Sequence, residues 1–223
     1  MALDKTKTNP YLGCAVHENL IKIGVESPMV ETKLSKYEER LVTITRNVSE
    51  IMKALGLDLK DDSLCETPRR IAKMYLNEIF WGLDYNNFPK ITTIENKMQY
   101  DNVLLERHIK VNSTCEHHFI PMMGEAFIAY LPDKKVIGLS KINRIVEFFS
   151  RRPQVQERLT EQIFHTLCML LETDNVAVLI KAEHTCVKLR GVEDTNSDTI
   201  TSRLGGIFFN SPSRNEFYQS IRL

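Results

Sequence analysis

Net charge is missing from this sequence: 29 Lys and Arg balance 29 Asp and Glu across 223 residues. A polycationic nucleic-acid surface is therefore not indicated. Basic residues interleaved with exposed aromatics are missing too, so no nucleic-acid partner is expected. No run of about eighteen apolar residues occurs, and the start MALDKTKTNP has no signal-peptide core. A soluble, cytoplasmic protein with no membrane partner is expected. A glycine-rich GKS or GKT loop is also lacking, which excludes the usual ATPase way of cradling a nucleoside triphosphate. Five cysteines, an odd number with no secretion signal, argue against a disulfide scaffold. Repeats, heptads and low-complexity segments are absent. What is there is globular: 43% hydrophobic and 26% charged residues, enough to bury a substantial core.

Residues 1–33 read as an arm, with room for a short helix around Ala15–Ile23. Residues 34–89 read as a helical region. Leu41, Ile44, Val48, Ile51, Met52 and Leu55 fall at three-and-four spacing before Gly56, which predicts an amphipathic helix over 35–55. Thr67-Pro68 predicts a second helix start, with threonine as cap and proline in the first turn. After Pro89 the pattern changes. Strands are expected over 103–111 and 124–131, followed by a turn at Asp133-Lys134-Lys135. Ser140 is expected to cap a helix with Ile142, Ile145, Val146 and Phe149 inward. Pro153 interrupts it, and a longer helix follows, carrying Leu159, Ile163, Leu167 and Leu170. A two-residue period then runs from Val176 through Val178 and Ile180 and keeps its parity through His184, Cys186, Lys188 and Arg190. Without a bulge, one strand face would pass from apolar packing into a metal-capable end. Arg203–Phe209 has room for one more short element. The whole is an α+β pattern, with helices covering one face of a mainly antiparallel sheet.

Chemistry concentrates in Cys115-Glu-His117-His118 and His184-Thr-Cys186. Cys115 and His118, three apart in a loop, can share an ion, with Cys186 delivered from a distant strand as third ligand. Two thiolates and one imidazole suit tetrahedral zinc and leave one position open, and an open position separates a metal that activates water from one that only holds a fold. Adjacent His117 and His118 usually diverge, so His117 is expected to face substrate. His184 is expected to share a face with Cys186 beside the metal, and both histidines suit proton exchange near neutrality. A closed structural zinc with four protein ligands, or no metal, remains open on the pattern alone. Cys168, in IFHTLCMLL, reads as a buried free thiol, and His17, His108 and His165 as surface or packing residues.

Basic residues gather at helix starts: Lys141 and Arg144 beside Ser140, Arg70 and Lys73 on the Thr67 helix, and Arg190 past the HTC segment. Together they suit a polyanion such as a triphosphate, although each alone is an ordinary solvated side chain. Gln156 and Glu157 open the long helix, where a carboxylate is favoured by the helix dipole even with no other role. The same pair can match the ring N–H and amino group of guanine.

The segments ETPRRIAKMY, STCEHHF, IGLSKINRIVEFFSRRPQVQERLT, EHTCVKLRG and TSRLGG closely resemble GTP cyclohydrolase I, especially its bacterial form, from about Leu34 to the C-terminus. The resemblance implies conversion of GTP and water to formate and 7,8-dihydroneopterin triphosphate, the entry to folate-type pterins. It implies a Zn2+ cofactor on Cys115, His118 and Cys186, and His117, His184 and Ser140 in catalysis. It gives guanine to Gln156 and Glu157, and the ribose and phosphates to Lys141, Arg144 and Arg190, with Arg70 and Lys73 arriving from a neighbouring subunit. It implies a tunnelling fold over 90–223, a four-stranded antiparallel sheet backed by two long helices. Five such sheets would close a ring, and two rings would stack as a homodecamer with active sites at subunit interfaces. The rivals are a zinc-stabilised nucleotide sensor without catalysis, and a related enzyme acting on a pterin or urate-like ring.

Overall fold

The computed structural model describes residues 3–30 and 35–222. Two compact units emerge, one formed mainly by Pro28–Trp81 and the other by Asp4–Ser27 with Gly82 onward. The arm-to-helix boundary expected at residues 33–34 lies outside the described residues. No described helix is long and apolar enough to cross a membrane.

In the first part of the chain, α1 (Pro10–Lys22) is longer than its apolar pattern suggests. The Asn9 side chain accepts from Leu12 N–H, and Pro10 occupies the first helical position, so the helix starts early. The smaller unit holds α2 (Tyr37–Ala54) and α3 (Thr67–Met74). At the end of α2, Gly56 takes φ +82° and lets Leu57 N–H reach Met52 O at 3.1 Å. A side chain there would meet the left-handed penalty that glycine escapes. α3 begins one residue earlier than a threonine cap requires: Glu66 is the cap and Thr67 already helical. Past Met74 the coil widens into one π turn, Tyr75–Ile79, closed by Phe80 N–H to Tyr75 O at 2.9 Å.

The larger unit is built on β1 (Thr93–Glu95), β2 (Leu104–Cys115), β3 (Pro121–Tyr130), β4 (Lys135–Ile137), α4 (Leu139–Ser150), β5 (Pro153–Gln154), α5 (Gln156–Leu171), β6 (Val176–His184), α6 (Thr185–Lys188), β7 (Thr199–Leu204) and α7 (Ser211–Ile221). β1 and β4 form a small ribbon, and the main sheet has the order β5-β2-β3-β6-β7. Its four long strands are antiparallel, as the family resemblance implies. The fifth, β5, is a two-residue parallel pairing of Pro153–Gln154 with Thr114–Cys115. β2 continues four residues past the expected end, because Val111 through Thr114 still find partners in Gly124 through Pro121. It also carries a bulge at Arg107-His108, where His108 takes φ +57°. β3 and β6 approach closely at Gly124, where a Cβ would sit 2.0 Å from Lys181 O.

Side-chain parity divides the sheet. Ala126 and Ile128 pair with Ile180 and Val178 and are fully buried, as are Ile142, Ile145, Val146 and Phe149 of α4 and Leu159 and Ile163 of α5. The opposite parity, Phe127, Ala129, Ala177 and Leu179, is buried too, against Phe208, Phe217 and Ile221. The expectation of helices on one face is therefore corrected: α7, with the turn before it, covers part of the second. Ser140 is likewise not a cap. Gly138 is, and Ser140 is the second helical residue, exposed to solvent.

Glu106, on β2, gives one test of this packing. Asn143 Nδ2 donates to its Oε1, while Oε2 is shielded from solvent without a hydrogen-bond partner among the described residues. Burial raises its pKa, and the Asn143 bond opposes that only partly. A carboxyl whose folded pKa lies above its unfolded value is tolerated at low pH and costs stability as pH rises through the folded pKa. The Glu106→Gln protein is accordingly expected to melt above the wild type at neutral pH, with the gap closing toward about pH 4. Thermal midpoints at the two pH values check this, and a gap independent of pH would contradict it.

Candidate metal centre

Cys115 ends β2, and residues 116–119 turn the chain into β3. Phe119 N–H donates to Cys115 O and Cys115 N–H to Ile120 O, both at 2.9 Å, so the turn is closed from both sides. Phe119 completes it with φ +56°, a backbone angle few bulky residues adopt. The second segment arrives on β6. His184 pairs with Met122, and the one β3 residue beyond it, Pro121, has no N–H to continue the ladder. The strand ends there and α6 begins, with Thr185 Oγ1 donating to Pro121 O at 2.6 Å. The expected continuous strand face through Cys186, Lys188 and Arg190 is thus corrected: Cys186 stands on a helical turn.

The turn and strand ends nevertheless bring the three expected ligands together. The donor atoms of Cys115, His118 and Cys186 all lie within 4.8 Å of one another. Nδ1 of His118 is 3.9 Å from Cys115 Sγ, close to the roughly 3.5–3.8 Å between donors around a tetrahedral zinc. No fourth His, Cys, Asp or Glu joins the group among the described residues, which disfavours a closed structural zinc. Burial and the hydrogen-bonded Cys115 thiol push the Cys186 thiol up, and Arg190 opposes them. A divalent cation reverses that balance by favouring thiolates, so the donor set fits zinc. The His117 and His118 ring planes stand 80° apart with centroids 6.4 Å apart, and Nδ1 of His117 also lies 4.0 Å from Cys115 Sγ.

Gln156 was expected to read guanine or to serve the helix end. Its side chain crosses to β6 and β7, almost fully buried, with Nε2 donating to Ile180 O, Thr199 O and Thr201 Oγ1 at 2.9–3.1 Å. Those acceptors fix the amide orientation and leave Oε1 facing His184 Nε2 at 2.9 Å. Nε2 therefore carries the hydrogen in neutral His184, and Nδ1 keeps its lone pair. Burial lowers the His184 pKa, while the neighbouring Glu157 carboxylate acts to raise it. Glu157 itself is exposed on the first turn of α5, whose cap position is Val155.

The basic residues divide. Arg190 lies near enough to Cys186 to influence its thiol. Ser140, Lys141 and Arg144 stand elsewhere. α4 meets the start of β2 through Asn143 and Glu106, whereas the chain beyond its C-terminus meets the end of β2, where Ser113 Oγ donates to Arg152 O at 3.4 Å. Helix and strand rises separate the start of α4 from Cys115 by on the order of 20 Å. Arg70 and Lys73 are exposed on α3 of the smaller unit, three apart. Two site residues had no sequence signal: Arg158 and Glu116 form an ion pair joining α5 to the metal turn, across 42 positions of chain.

Against known proteins, the family model described as GTP cyclohydrolase I matches residues 44–222. GTP cyclohydrolase 1 of Yersinia enterocolitica is 55% identical over 208 residues, covering 93% of this chain and 94% of its own. Those of Erwinia tasmaniensis and Klebsiella pneumoniae are 56% identical over 209 residues, covering 93% of this chain and 95% and 94% of theirs. The donor set, the fold that carries it and these matches lead to one assignment: the chain belongs to the GTP cyclohydrolase I family, in its bacterial form.

Proposed function

We propose that this protein converts GTP and water to 7,8-dihydroneopterin 3'-triphosphate and formate, the first committed step toward folate-type pterins in the cytoplasm. The observation that carries the reading is the convergence of Cys115, His118 and Cys186 from separate segments, beside an oriented His184, in a chain of this family. Those three side chains would hold zinc, which would supply Lewis acidity for hydrolysis of the imidazole ring.

The chain's own residues divide the remaining work. His184, neutral with Nε2–H donated to Gln156, takes a proton at Nδ1 and returns it to a ring nitrogen of guanine as the five-membered ring opens. His117, more exposed on the turn, exchanges protons in the later steps, and Ser140 assists opening of the ribose. Glu157 accepts from the guanine ring N–H and amino group, which sets base specificity. Gln156 belongs to the guanine pocket by shaping its wall and orienting His184. Lys141, Arg144, Arg190, Arg70 and Lys73 bind the triphosphate.

That division requires more than one chain. The distance between the α4 start and the metal ligands within one protomer supports an active site at a subunit interface, with Ser140, Lys141 and Arg144 contributed across it. The sheet supports the same reading: among the described residues β7 has no outer neighbour, and β5 covers only the last two residues of β2. Joining such edges in a ring removes exposed strand backbone. α2 and its C-cap leave Val42, Ile51 and Leu55 more than half exposed, apolar surface suited to stacking of two rings. A homodecamer, a dimer of pentamers, satisfies these demands.

Purified protein incubated with GTP is expected to release formate and, after oxidation, a fluorescent pterin, with about one zinc per chain. Zinc-replete protein that binds GTP without releasing formate would instead be a nucleotide sensor. Sedimentation measures the assembly.

A further inference from the structure

The first turn of α5 touches both halves of the metal centre. Gln156 holds His184, and two residues later Arg158 reaches the turn that carries His117 and His118. Arg158 Nη1 donates to Glu116 Oε2 at 2.5 Å, and Nη2 lies 3.5 Å from Oε1. Both side chains retain only 22% exposure, so this two-pronged pair is partly withdrawn from water and screening. Glu116 is also held through its backbone: its N–H donates to Gln154 O at 3.0 Å, beside the pairing of Cys115 with Gln154. Its Oε1 stands 4.0 Å from His117 Nε2.

Glu116 thus lies between one metal ligand and the histidine pair, and its side chain is anchored to the helix that orients His184. A metal centre tolerates little displacement of its donors, and hydrogen bonds one layer out usually set their directions. We propose that Arg158 is a positioning residue that acts through Glu116. It fixes the Cys115–His118 turn against α5, and so places His118 for zinc and His117 for proton transfer, without touching GTP. The inference rests on the GTP cyclohydrolase reading for its kinetic consequences but not for its effect on the metal.

A partly exposed ion pair contributes little to overall stability, which separates this role from a merely structural one. The test uses full-length holoprotein and the variants Arg158→Met, Arg158→Lys, Glu116→Gln and Glu116→Gln with Arg158→Met. Arg158→Met and Glu116→Gln are each expected to lose about 10–100-fold in zinc retention against a chelator or in kcat, with the GTP KM within about threefold. The double variant should be no worse than the worse single, as for two members of one pair. Lysine should restore part of the loss, since one ammonium cannot reproduce the fork.

Wild-type zinc retention and kcat in Arg158→Met would overturn the proposal. So would additive losses, or a raised KM alone, which would make Arg158 a substrate contact. If Arg158→Met fails to fold by circular dichroism, Arg158→Lys and Glu116→Gln, which keep the side-chain size, decide. A wild type that holds zinc but releases no formate would defeat the enzymatic reading, and zinc retention across the variants would still test the brace.

Discussion

Replacing Cys186 by Ala is expected to remove stoichiometric zinc and to lower formate release from GTP by about 10³-fold or more, because a metal Lewis acid supplies several kcal/mol of barrier at 1.36 kcal/mol per decade. The cluster contains three ligands among the described residues, and alanine would leave two, from one short turn. Cys168→Ala is the matched control. Burial pushes that thiol up to about 12, and it stands outside the donor cluster. Metal analysis beside a formate assay measures both variants. Wild-type zinc in Cys186→Ala would remove the site, and lost zinc with retained turnover would separate the metal from the chemistry.

How much of this centre was legible beforehand depends on which forces act locally. The residue types were, because thiols and imidazoles in CEHH and HTC have few other reasons to gather. The periodicity of Val176, Val178 and Ile180 identified β6, since alternate burial writes itself into sequence. The end of β6 did not, because it is set by the partner strand: β3 begins at Pro121, which has no N–H to extend the ladder past His184. The extension of β2 to Cys115 has the same origin. α7 was missed although Asn210-Ser-Pro is a usable helix start, because its mean apolar pattern is weak and only the buried Phe217 and Ile221 reveal what it covers. Gln156 shows the deeper limit. Its amide chemistry allows base recognition, but only tertiary placement reveals that its donors are spent on Ile180, Thr199 and Thr201 and that its acceptor is spent on His184. The Arg158–Glu116 pair was invisible for the same reason.

Arg152 carries the second large expectation, because it is a fully buried cation with no carboxylate partner among the described residues. Its guanidinium lies 4.7–5.0 Å from the ring centres of Tyr85, Phe148 and Phe149. It donates to Gly82 O, to Tyr85 OH at 3.2 Å and to Ser27 Oγ at 3.4 Å. Burial lowers its pKa, with Tyr85 opposing, yet a guanidinium remains charged near neutrality. The ring faces and the carbonyl therefore hold the charge in place of an anion. Arg152→Ala empties this cage and strands its acceptors, and should cost about 3–5 kcal/mol. For a chain of this size that is a midpoint roughly 10 °C lower. Arg152→Met refills most of the volume without the hydrogen bonds and should cost less, about 1–3 kcal/mol. Thermal unfolding of both variants separates the contributions. Equal losses would assign the stability to hydrogen bonding, and a loss below about 1 kcal/mol in Arg152→Ala would contradict the cage altogether. The consequence reaches the metal through the backbone: Arg152 O accepts from Ser113 Oγ, and the next two residues pair with Thr114 and Cys115. A chain that loses the cage should therefore also release zinc more readily to a chelator, even below its melting temperature, because the strand end that carries Cys115 is held on this side by Arg152, Pro153 and Gln154.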